Sequence, residues 1–143
     1  MSSAMPQPAD PVREYLRQQG APYHVIANGL RGLVENWERI VAAVEGGYNL
    51  PLDDYLNDMD GRQLLENALS VAPAEVRDAF LDRVKAADQR MRALIVPANR
   101  CLWGQIVAEE EGWRDNKQWW YFTRPRNAGP QLLEELRGQG LTE

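Results

Sequence analysis

The chain is poor in the residues that do most covalent and metal chemistry. It has one cysteine, Cys101, and one histidine, His24, in 143 residues. A single cysteine excludes an intrachain disulfide, and nothing points to an oxidising compartment. A single histidine excludes zinc sites built from several imidazoles, HExxH among them. No run approaches the roughly 20 apolar residues that span a bilayer. The opening stretch, MSSAMPQPAD, lacks the basic start and apolar run of a signal peptide. These absences make the cytoplasm the expected location. P-loop, dinucleotide fingerprint, GxSxG elbow and CxxC pair are all missing. Gly29-Leu30-Arg31-Gly32 lacks the Lys-Ser/Thr ending of a phosphate loop. No cofactor is expected. The net charge of -5 weighs against nonspecific binding to nucleic acid or to an anionic membrane.

What is present suits one soluble globular domain, with 44% apolar and 26% charged residues. Residues 1–9 hold two prolines and two serines and little to bury. They read as a disordered tail before a single helical domain over 10–143. Asp10-Pro11 is an N-cap followed by a residue suited to the first helical position. A short helix to about Gln19 follows, ended by Gly20. Ala21–Asn28, interrupted by Pro22, reads as an extended connector. From Gly29 the pattern is strong. Leu30, Leu33, Val34, Trp37, Ile40, Val41 and Val44 form one stripe at helical spacing, the mark of a central helix.

Tyr48–Arg62, reading YNLPLDDYLNDMDGR, is the most unusual stretch. Leu52, Tyr55, Leu56 and Met59 fall on one helical face, with carboxylates mainly opposite. Asp60 and Gln63 have the spacing of a capping box, so a second helix is expected to begin there. Pro73 separates that helix from a long one carrying Val76, Phe80, Val84, Ala87, Met91 and Leu94 inward. Pro97 ends or kinks it. A further helix from about Asn99 is expected to bury Leu102, Trp103, Ile106 and Val107. Trp119–Thr123 has high β propensity but no second strand of comparable quality. It must pair with Tyr23–Ile26, pair with a second copy in a homodimer, or lie as an extended arm. Pro130–Leu136 reads as a last short helix. The expected fold is mainly α: an irregular bundle of about five to six helices with an aromatic extended arm near the C-terminus.

Each residue group that could carry chemistry also has a plain structural role. An EF-hand loop with Gly61 at its sixth position would put Leu56 first and Asn67 twelfth, so two ligands fail. A looser divalent-metal site on Asp54 and Asp58 would need carboxylates from another element. Cys101 and His24 could form a nucleophilic pair only with an orienting third group, and none is evident. Cys101 reads as a small buried hydrophobe and His24 as a packing residue. The Trp113–Phe122 segment, flanked by Arg114, Lys117, Arg124 and Arg126, reads first as core and next as a protein interface. A surface that stacks bases ranks below both.

With Asp60 assigned to a cap, Asp53, Asp54 and Asp58 are the carboxylates lacking a structural role. The expected function is a small interaction protein, of a regulator, inhibitor or immunity type, presenting an acidic helical face to a partner protein. Asp53, Asp54, Asp58, Trp119, Tyr121 and Arg124 are the candidate contacts. The alternatives are a metal-dependent hydrolase on Asp54/Asp58 and a nucleic-acid binder using the Trp-rich arm.

Overall fold

A computed structural model describes residues 10–143; the tail expected over 1–9 lies outside the described residues. Six helices and one two-stranded sheet follow in the order α1 (Pro11–Gln18), α2 (Tyr23–Glu45), α3 (Leu52–Val71), α4 (Ala74–Arg92), β1 (Ile95–Pro97), α5 (Gln105–Glu111), β2 (Thr123–Pro125) and α6 (Pro130–Gly138). A 3-10 turn at Trp119–Tyr121 precedes β2. The fold is mainly α, as the periodicity indicates. No described helix is long and apolar enough to cross a membrane.

Local chemistry explains the first two helix starts. Asp10 caps α1 by accepting from the backbone N–H groups of Val12 (3.1 Å) and Arg13 (3.2 Å). The expected connector at Ala21–Asn28 is largely helical instead, because the Pro22 carbonyl accepts the first α2 bonds from Val25 and Ile26. α2 then breaks at Gly29, whose φ of 58° and ψ of -149° suit only glycine. The Arg13 guanidinium donates to the carbonyls of Ile26 (3.2 Å) and Ala27 (3.0 Å), which the break leaves free. Beyond it the whole Leu30–Val44 stripe is buried, at the centre of the bundle against α1, α3 and α4.

α3 corrects the expectation of two helices meeting at Asp60. It runs unbroken through Gly61. A mid-helix glycine costs about 1 kcal/mol, and burial of Tyr55, Leu56, Met59, Leu65, Ala68 and Leu69 outweighs it. Its first N–H, on Leu52, is satisfied by Glu135 of α6 at 3.2 Å. α4 lies against α2 through the ion pairs Arg83–Glu38 and Arg90–Glu45. It buries Val84, Ala87 and Met91, while Val76 is exposed and Phe80 half-buried.

The aromatic arm follows the bundle near the C-terminus, as expected, and its backbone adds a detail: Trp119–Tyr121 coils into the 3-10 turn, with all three rings buried. The strand comes next, and β2 pairs antiparallel with β1 in the register Ile95↔Pro125, Val96↔Arg124, Pro97↔Thr123. β1 escapes a sequence reading because it is three residues long and ends in proline. The pairing satisfies this backbone within one chain. The helix expected from Asn99 starts only at Gln105. Cys101 and Leu102 are buried in the turn before it, but Trp103 and Ile106 point outward.

Candidate interaction face

α3 and the turn before α5 position the candidate residues. Asp53 and Asp54 are exposed in the first turn of α3. Carboxylates there meet the positive end of the helix dipole, a stabilisation of about 0.3–1 kcal/mol each. That is a structural role the sequence reading did not assign them.

Asp58 is half-buried, and the Tyr48 hydroxyl donates to it at 2.5 Å. Burial pushes its carboxyl up; the Tyr48 bond works the other way, and the Asp54 charge adds to the rise. Because its folded value lies above its unfolded one, the folded chain binds more protons than the unfolded chain between the two. Stability conferred by this site is therefore greatest at low pH and falls as pH rises from the ordinary carboxylate range through the raised value. Asp58→Asn keeps an oxygen for Tyr48 and removes the charge. Urea titrations from pH 3 to 8 should show a flatter profile and a more stable fold at neutral pH; an unchanged profile would remove Asp58 as the cause.

Asp60 is the structural hinge of the site. The Tyr121 hydroxyl donates to it at 2.7 Å and the Trp103 indole N–H at 3.0 Å, both on the same oxygen. Tyr121 stacks on Trp113 with ring centroids 3.8 Å apart. Burial, foremost, and the Asp60 hydrogen bond push its phenol well up, with Glu111 contributing through its charge. The hydroxyl thus stays a donor. Asp60, held from beneath, pins an indole that is 37% exposed, and Ile106 three residues on is 72% exposed. The helical period placed both residues inward. The signal against that was Gly104: its φ of 101° ends any helix running from Asn99.

The two chain segments that carry Asp60 and these side chains hold charge of one sign, and Arg114 lies just beyond them, lining a depression with Gln105 and Glu109. Asp53, Asn57 and Asp60 recur at i, i+4 and i+7 on α3, and Glu110 lies one turn beyond Ile106 on α5. No Lys or Arg occurs in 48–61 or in 101–112.

The other candidates are spent internally. Trp119 packs edge-on to Trp37 (6.4 Å) and to Trp120 (5.5 Å), with the Arg92 guanidinium 4.4 Å over its ring. Tyr121 is core. Arg124 is half-buried in β2, its Nη1 donating to the Pro125 carbonyl at 3.5 Å. Cys101 is fully buried, and burial pushes its thiol up, the opposite of an activated nucleophile. His24 is exposed at the start of α2. Among the described residues no three of His, Cys, Asp and Glu converge as a metal site would need. No family model matches the chain, and comparison with curated proteins and with solved structures found no match.

Proposed function

We propose that this chain is a cytoplasmic protein-interaction module, of a regulator or inhibitor type, whose acidic face centred on Trp103 and Ile106 docks a partner with a basic rim around an apolar pocket. One observation carries this reading: an exposed indole held by a carboxylate, beside an exposed isoleucine, on two segments, 48–61 and 101–112, that carry carboxylates and no Lys or Arg. Binding energy at interfaces concentrates in a few large side chains, tryptophan foremost. A carboxylate rim adds association rate and salt dependence more than affinity. Pre-organisation lowers the cost of binding, because the Asp60 hydrogen bond already orients the indole before a partner arrives.

The expected contacts divide accordingly. Asp53 and Asp54 belong to the rim, about 10 Å along the α3 axis from Asp60 at 1.5 Å per residue. Trp119, Tyr121 and Arg124 act as support rather than contact. The nucleic-acid reading loses its stacking platform, since the rings of Trp119 and Trp120 face the core. The metal-hydrolase reading loses Asp58, whose carboxylate accepts the Tyr48 hydroxyl.

Two variants test the proposal against a partner captured from source-cell extract. Trp103→Ala/Ile106→Ser should weaken the complex by roughly 30-fold or more, the loss of a single hot spot of about 2 kcal/mol. Asp53→Lys/Asp54→Lys should slow association and flatten its salt dependence, with dissociation little changed. A partner bound equally well by both variants would overturn the assignment of this face.

A further inference from the structure

We infer that the cleft between α2 and α3 is a binding site for a small organic carboxylate. Its volume is about 200 Å³, below the roughly 300–1,000 Å³ of pockets for drug-sized ligands. That volume suits a short-chain or single-ring acid rather than a drug-sized ligand.

Its lining is what selects an anion. His24, Asn28, Asn36 and Arg39 supply the polar wall, and no carboxylate lines it. Four other surface depressions each carry at least one carboxylate: Glu109, Asp10, Asp115 and Glu66 respectively. On a chain of net charge -5, a donor-rich and acid-free cleft is the exception. Its donors are also uncommitted. The Asn36 side-chain oxygen accepts from Arg39 Nη2 at 3.2 Å, which leaves the amide N–H₂ of Asn36 and most of the Arg39 fork unused. The side chains of His24 and Asn28 make no hydrogen bond among the described residues. A carboxylate is the ligand group that accepts several N–H bonds at once, two of them from one guanidinium. Leu33 and Leu64 line the cleft beside these donors and give an apolar body a place to lie.

Two glycines, Gly32 and Gly61, line the cleft. A Cβ on Gly32 would lie 2.5 Å from the Asn28 Cβ, so packing beside the α2 break requires glycine there. Gly61 lies inside α3 without positive φ and costs about 1 kcal/mol against alanine in a helix interior. A Cβ on Gly61 would lie 3.2 Å from the Asn36 amide nitrogen and crowd the donor wall.

The test is a titration of the ¹⁵N-labelled full chain with butyrate, hexanoate and benzoate, with hexanol, hexylamine and inorganic phosphate as comparators. One or more carboxylates should give saturable shifts at the Gly32 and Gly61 amides and the Asn28 and Asn36 side-chain amides, with a millimolar or tighter Kd. The alcohol, the amine and phosphate should each bind at least about tenfold more weakly. Arg39→Glu, a change at an exposed side chain, should leave the rest of the spectrum in place and weaken carboxylate binding by at least about tenfold. Absence of saturable shifts, shifts scattered away from the cleft, an equal response to hexylamine or to phosphate, or unchanged binding by Arg39→Glu would each overturn the inference.

Discussion

Asp88→Ala is expected to lower the unfolding free energy by about 3–5 kcal/mol, the usual result of stranding one member of a buried ion pair. Arg62 is the reason. It is 3% exposed, the one charged residue in the core among those described. Its Nε and Nη2 donate to the two oxygens of Asp88 at 3.0 and 2.8 Å, a bidentate pairing. The Trp37 indole N–H donates to the same carboxylate at 2.9 Å, and Glu66 takes Arg62 Nη1 at 3.0 Å. The guanidinium also lies 4.3 Å over the Trp120 ring and 5.7 Å from that of Trp37. Asp88 therefore joins α2, α3 and α4 at one point, and Arg62 carries that junction to the C-terminal aromatic turn.

Without Asp88 the cation and the indole N–H are left short of acceptors in a low-dielectric site, with Glu66 alone near the surface. Against a typical total of 5–15 kcal/mol such a loss leaves a marginal fold. Removing both charges in Arg62→Met/Asp88→Ala should recover a large part of it, because the stranded cation is gone. Urea denaturation of the parent, both single variants and the double variant gives the coupling energy. A cost below about 1 kcal/mol for Asp88→Ala would show that Glu66 and the rings suffice without it.

Trp37→Ala should cost a similar amount, about 3–5 kcal/mol, through a different mechanism. Trp37 is 1% exposed at the centre of α2. Its ring packs edge-on against Trp119, and its N–H holds Asp88. Truncation opens a cavity where the helical bundle meets the C-terminal segment. Besides the lower stability, hydrogen exchange should speed up across Trp119–Pro125 beyond the global change. Trp37→Phe keeps most of the volume but not the donor, so its cost should lie between those of the parent and the alanine variant. Because Trp37 and Asp88 share a hydrogen bond, their combined effect should be less than the sum. Exchange that stays protected at Trp119–Pro125 while the rest of the chain destabilises would show that Trp37 does not tie the segment down.

Much of the bundle is legible in the residue pattern, and the reason is local. Every member of the Leu30–Val44 stripe is buried, and so are Leu52, Tyr55, Leu56 and Met59. A helix closes its bonds within four residues, so the period of its apolar side chains reports its buried face directly. Asp10 caps α1 for the same reason, its acceptor being two and three residues from its donors. The acidic stretch shows where this reasoning stops. Leu52–Met59 has the right period, yet the Asp60/Gln63 spacing suggested a new helix start. Spacing alone does not say whether a carboxylate turns back to its own backbone or outward to Tyr121 and Trp103.

The sequence by itself determined the helical class, the apolar faces of α2 beyond Gly29 and of the start of α3, and, with one histidine, the exclusion of a several-histidine zinc site. The tertiary structure alone decided which carboxylates are free, that Trp119 and Tyr121 are core, and that Trp103 and Ile106 are surface. Those outcomes depend on contacts made far along the chain: Arg62 with Asp88 over 26 residues, Trp103 with Asp60 over 43, Tyr121 with Asp60 over 61. Such contacts form only after loops of that length close, at an entropic cost that packing of the whole core must meet. No window of neighbouring residues carries that information.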